Sequence, residues 1–145
     1  MAKIYILQHH PVENLANIAD ALEGAALAWQ YVRVDEGQPV PASMKGAGGL
    51  IVMGGPMAVY QTDRYPWLRD EMRLIEDAMK SNLPVLGVCL GAQILAAALG
   101  AKVEHNPSGK EAVYDGDCNL HWVTRSASVS KTGRGEPTYI SSSTC

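Results

Sequence analysis

No run of apolar residues in this chain of 145 approaches the length that a membrane-crossing helix needs. The opening residues, Met1-Ala2-Lys3-Ile4-Tyr5, lead straight into an apolar strand pattern and not into a signal peptide. A soluble, cytoplasmic protein with no membrane partner is therefore expected. Charge of one sign is scarce as well: 12 Lys and Arg stand against 15 Asp and Glu, a net −3 with no basic run. That argues against nucleic acid as a partner. Cysteine is sparse and odd in number, since Cys89, Cys118 and Cys145 lack C-x-x-C spacing and His-rich surroundings. Neither a disulfide framework nor a metal site is expected, and a cysteine with a role acts as a free thiol. No G-x-x-x-x-G-K-[ST] phosphate loop occurs, and Gly46-Ala47-Gly48-Gly49 precedes its strand instead of following it. No nucleotide cofactor is implied. Internal repeats are absent too.

What is present is 47% apolar content in 15.6 kDa, enough for one domain with a real core. Lys3 to Leu7, Tyr31 to Val34, Leu50 to Met53 and Pro84 to Val88 are short, apolar and β-branched, as strands buried on both faces of a parallel sheet are. Between the first two, Leu15, Ile18, Ala19 and Leu22 recur at helical spacing, with Gly24 as the expected stop. Between Asp63 and Asn82, Leu68, Met72, Ile75 and Met79 form one stripe, Pro66 sits near the start and Lys80 at the end. Ala92 to Leu99 is apolar on nearly every side and predicts a buried helix closed by Gly100 in the left-handed conformation. Strands alternating with helices predict an α/β fold with a doubly wound, mostly parallel sheet, whose ligands bind beyond the C-terminal strand ends. Gln8 to His10, Gly54-Gly55-Pro56 and Cys89 all fall at such ends.

Gly87-Val88-Cys89-Leu90-Gly91 has a glycine two residues to either side of a nucleophile, directly after a buried strand and directly before a buried helix. A nucleophile on so sharp a turn takes a strained backbone conformation, and a side chain at either glycine would collide with the crossing chain. The helix N-terminus would favour the Cys89 thiolate and lower its pKa below the ordinary value of about 8.5. A buried core thiol is the plainer alternative. A carbonyl under attack needs donors for the oxyanion that develops on it. The backbone N–H groups of Leu90 and Gly55 are candidates, although Gly54-Gly55-Pro56 also reads as an ordinary tight turn. Gln93, polar among Ile94, Leu95 and Ala96, either holds a loop or faces substrate.

Gln8-His9-x-Pro11, Gly54-Gly55-Pro56-Met57, Tyr65-Pro66-Trp67-Leu68, the run Pro84 to Gln93, and Ala98-Leu99-Gly100-Ala101 together resemble a class I glutamine amidotransferase domain. The likeness is to the stand-alone branch similar to the glutaminase part of GMP synthase, covers residues 1 to about 111, and implies a flavodoxin-like fold. By that resemblance Cys89 attacks the side-chain amide of glutamine and releases ammonia, leaving a γ-glutamyl thioester for water to cleave. The resemblance also implies that Gly55 and Leu90 form the oxyanion hole and that Gly54 and Gln93 lie at the pocket for glutamine or a γ-glutamyl substrate. A synthetase partner would consume the ammonia.

The family completes a Cys-His-Glu or Cys-His-Asp triad far downstream, and here the pattern departs. His121-Trp122-Val123 is the nearest echo, with Val123 where an acid would stand. Residues 112–145 hold six Ser, four Thr and one Leu, against three Ser and one Thr in residues 1–111. So polar a segment buries little apolar surface, apart from short strands that Val113-Tyr114 and His121-Trp122-Val123 could make. The expectation is an amidotransferase-like portion over 1–111 followed by a low-hydrophobicity tail, with the C-terminal part of the fold missing or divergent through truncation or a frame shift. A catalytically inactive fragment that dimerises or otherwise self-associates through exposed sheet edges is the alternative, and a thiol hydrolase or redox protein using Cys89 without a triad is a third reading. His9, His10 and His121 are weak substitutes for the missing base, His105 reads as a turn, and the S-x-x-K match at Ser128 to Lys131 as chance.

Overall fold

The computed structural model describes residues 2–101 and 103. Every expectation for residues 112–145, together with His105, lies outside the described residues. The elements run β1 (Lys3–Gln8), α1 (Asn17–Gly24), β2 (Trp29–Arg33), a 3-10 turn (Val34–Glu36), β3 (Ala47–Val52), α2 (Trp67–Lys80), β4 (Val85–Gly87) and α3 (Leu90–Ala98). All strand pairs are parallel, in the order β2-β1-β3-β4, with Ile6 opposite both Tyr31 and Ile51, and Val52 opposite Gly87.

Side-chain alternation along the strands divides the core between the two sheet faces. Ile4 and Ile6 of β1, with Ile51 and Met53, pack with Leu15 and with Leu22 of α1. Leu7, Leu50 and Val52 belong to the other cluster, with Leu68, Leu74 and Ile75 of α2 and Leu90, Ile94 and Leu95 of α3. One helix on one face and two on the other make the sheet doubly wound, as expected. Ile6, Leu7, Leu68, Ile75 and Ile94 are inaccessible to solvent, and each such side chain contributes about 1.5–3 kcal/mol by leaving water.

Some details differ from the sequence reading, and Val34, expected at the end of the second strand, opens the 3-10 turn instead. The helix from Asp63 to Asn82 is present as α2, but its buried face is Leu68, Glu71, Leu74, Ile75 and Ala78, while Met79 is 41% exposed. The face is turned because α2 packs against both the sheet and α3, and because a partner awaits the Glu71 carboxyl inside the molecule. α1 stops at Gly24 as expected, and the left-handed residue of the turn that follows is Ala26, with φ 54°. Closure comes from the Leu27 N–H, which donates to the Leu22 carbonyl across that residue. Asn82 (φ 59°) and Gly100 (φ 85°) play the same part after α2 and α3, where Leu83 N–H bonds to Ala78 and Ala101 N–H to Ala96. Gly100 thus serves as the expected cap.

Candidate active site

Strand order reverses between β1 and β3, because the chain leaves β1 for β2 on one side and later returns to place β3 on the other. Such a reversal opens a crevice at the C-terminal strand ends. The pairing runs on past the strands, with Met53 N–H donating to the Leu7 carbonyl at 3.0 Å and Val88 N–H to the Val52 carbonyl at 2.9 Å. His9, Gly54-Gly55 and Cys89 are thereby delivered to one edge of the sheet.

Cys89 occupies the residue between β4 and α3 with φ 52° and ψ −110°, a conformation that costs a non-glycine residue about 1–3 kcal/mol. The chain crosses itself there. A Cβ on Gly87 would lie 2.6 Å from the Gly91 carbonyl oxygen, and one on Gly91 would collide with the Val52 carbonyl oxygen. The thiol is half-buried at the N-terminus of α3, whose first turn closes with Ala92 N–H and Gln93 N–H both donating to the Cys89 carbonyl. Among the described residues, neither Leu90 N–H nor Gly55 N–H makes a backbone hydrogen bond.

The structure places four of the five sequence-derived site residues beside one another. A Cβ at Gly54 would stand 3.5 Å from the Cys89 Cβ, and one at Gly55 would stand 3.1 Å from Leu90 Cδ2. Gly54 and Leu90 are buried, and Gly55 is half-buried. Gln93 follows in the first turn of α3, also half-buried. His10 accepts a 3.4 Å hydrogen bond from Val12 N–H at Nδ1, a local turn contact. His121, Val123, Cys118 and Cys145 lie outside the described residues. No group of three or more His, Cys, Asp or Glu among the described residues is placed to hold a metal ion.

His9 is not available as a base for the sulfur, because both ring nitrogens are taken. Nδ1–H donates to the Gly54 carbonyl at 3.1 Å, and Nε2 lies 2.7 Å from Glu71 Oε1. A carbonyl only accepts, so Nδ1 carries a proton in every state, and a second proton is shared between Nε2 and Oε1. The indole of Trp67 stacks on the imidazole at 5.1 Å and 13°. His9 is 1% exposed and Glu71 0%. Burial alone would push the His9 pKa down, but the hydrogen bond and charge of Glu71, with the Gly54 and Met53 carbonyls, raise it above 6.5. Burial raises the Glu71 pKa above 4.5, and His9 only partly offsets that. Glu71 Oε2 is buried with no hydrogen-bond partner among the described residues.

Sequence reasoning missed Glu71 and Glu13. The Glu71 signal was available, since the residue stands three positions after Leu68 and three before Leu74 on the buried face. Glu13 has no such signal: a loop after β1 carries it to Gly54, where its Oε2 is 3.0 Å from the point a Cβ would occupy. A carboxylate therefore stands beside the same glycine that touches Cys89.

The sequence model of the family described as glutamine amidotransferase class-I matches residues 12–136. GMP synthase (glutamine-hydrolyzing) of Campylobacter hominis is 36% identical over 68% of this chain and 17% of that protein. The glutamine amidotransferase-like protein YfeJ of Salmonella typhimurium is 29% identical over 72% of this chain and 45% of its own length. In three dimensions, the crystal structure of a glutamine amidotransferase from Methylobacillus flagellatus superposes with a TM-score of 0.68 and 36% identity, covering 74% of this chain and 42% of that one. The chain thus spans less than half the length of each of these relatives. The family model spans most of this chain, and the chain belongs to the class I glutamine amidotransferase family.

Proposed function

We propose that this chain carries the nucleophile and the oxyanion hole of a glutamine amide hydrolase, with Cys89 as the reacting residue. The Cys89 sulfur bonds to the side-chain amide carbon of glutamine, the carbonyl electrons move onto oxygen, and the N–H groups of Gly55 and Leu90 receive the oxyanion. Collapse breaks the C–N bond, and the nitrogen leaves as ammonia with the thiol proton, which a general base has passed to it. Water then cleaves the γ-glutamyl thioester, giving glutamate and restoring the thiol. Gly54 and Gln93 line the place of the glutamine side chain. Since His9 is bonded on both nitrogens, the base comes from elsewhere than His9. Ammonia produced here would serve a synthetase partner, the arrangement suggested by the similarity to glutamine-hydrolyzing GMP synthase.

The observation that supports this reading most strongly is the positive φ of Cys89 between two glycines that tolerate no Cβ, with Gly54 beside Cys89 and Gly55 beside Leu90. A buried core thiol would need none of that strain. The test is acid-quenched mass spectrometry of the chain mixed with glutamine. A glutamyl adduct on the Cys89 peptide, absent from Cys89→Ala, is expected; an unmodified Cys89 peptide at every quench time contradicts the reading.

A further inference from the structure

The buried His9–Glu71 pair has no part in the chemistry just described, yet it occupies the centre of the site's support. It is a poor device for stability. An ion pair out of water is often no better than an apolar pair of the same volume, and here one carboxyl oxygen has no partner among the described residues. What an apolar pair could not do is hold the Gly54 carbonyl. No peptide bond among the described residues is cis, so the Gly54 C=O and the Gly55 N–H point in opposite directions from one planar unit. A peptide between two glycines also meets less steric resistance to turning over than any other. With the carbonyl held at 3.1 Å by Nδ1–H, the N–H is turned to the side away from the imidazole. His9 is itself fixed by Glu71 at 2.7 Å and by the stacked Trp67, and a Cβ at Gly55 would lie only 2.9 Å from the His9 Cβ.

We propose that His9, anchored by Glu71 and Trp67, is a positioning residue that locks the Gly54–Gly55 peptide with its N–H turned into the oxyanion hole. The inference rests on the glutamine-hydrolase reading and adds to it the reason for a buried polar pair under the site. It assigns no proton transfer to either residue. The lock is an orientation, so removing it should slow reactions that develop an oxyanion and spare those that do not.

Two thiol reagents applied to the full chain separate these cases: the chloromethyl ketone analogue of glutamine, whose carbonyl oxygen uses the hole, and iodoacetamide, whose displacement of iodide develops no oxyanion. In the wild type, Cys89 should react preferentially with the analogue. His9→Leu should lose about tenfold or more of the analogue rate and keep its iodoacetamide rate within about twofold. His9→Asn, whose amide nitrogen can stand where Nδ1 stood and donate to the same carbonyl, should recover most of the loss. Should His9→Leu not fold, Glu71→Leu removes the anchor without touching the loop and should show the same selective loss. A folded His9→Leu or Glu71→Leu with the wild-type analogue rate overturns the proposal, as does an equal fall with both reagents. A wild type that shows no preference for the analogue overturns the glutamine reading itself, and this proposal with it, so the two failures are distinguishable.

Discussion

At Cys89 the chain accepts a backbone conformation that disfavours every residue except glycine, and it does so at the N-terminal end of a buried helix. In the proposed reading, the positive end of α3 favours a thiolate there. Cys89 should therefore be alkylated at neutral pH faster than Cys118 and Cys145, measured by peptide mapping after a brief pulse of iodoacetamide; equal labelling of the three would remove the activated nucleophile. The G-x-C-x-G spacing made this residue legible in the sequence, because the glycines mark the collision sites on either side. His9 and Glu71 were not legible as a pair. They lie 62 residues apart, and a lone glutamate on a helix ordinarily reads as part of a solvated face. Their titration gives a second check. Both pKa values are raised, so the folded chain holds protons that the unfolded chain releases. The Glu71 contribution is complete below pH 4.5 and falls as pH rises past that value toward the raised one, and the His9 contribution is complete below 6.5 and falls above it. Thermal melts should show this decline in the wild type and a smaller or reversed one in Glu71→Gln; parallel curves would contradict it.

The strands and helices were recognisable by their period, and the differences came where tertiary packing overrode a local cue. α2 was expected to bury Met79 and instead buries Ala78 and Glu71, because two neighbours and His9 set its rotation. Gly24 is the stop it looked like, and the turn that closes α1 takes its left-handed residue two positions later, at Ala26. Ala26 bears a side-chain penalty there that glycine lacks. Ala26→Gly should leave the site untouched and raise stability by about 1 kcal/mol, read from the midpoint of urea unfolding. An unchanged or lower midpoint would show that the Ala26 conformation is not strained. The elbow makes the opposite prediction. β3 and α3 approach so closely that Gly91 faces the Val52 carbonyl with no room for a side chain. Gly91→Val should cost at least about 3 kcal/mol and abolish the selective labelling of Cys89. A stable, selectively labelled variant would contradict the crossing geometry.

Across the described residues, four parallel strands with helices on both faces present His9, Gly54-Gly55 and Cys89 at one edge, where the strand order reverses. That much followed from the alternation of short apolar runs with helical stripes, since a parallel sheet with crossovers leaves few other topologies. The placement of Glu13 beside Gly54 did not follow, because a loop's course is set by contacts distant in sequence and not by its own period. The chain covers 17% to 45% of the relatives named above, so its membership in the amidotransferase family is a statement about the part that carries the nucleophile. Whether that part hydrolyses glutamine is decided most directly by ammonia release from glutamine, followed for the 145-residue chain beside Cys89→Ala under identical conditions. Release by the wild type that disappears in the variant is expected. A folded wild type that releases no ammonia, or a variant that releases as much, would contradict the assignment of Cys89 as the catalytic nucleophile.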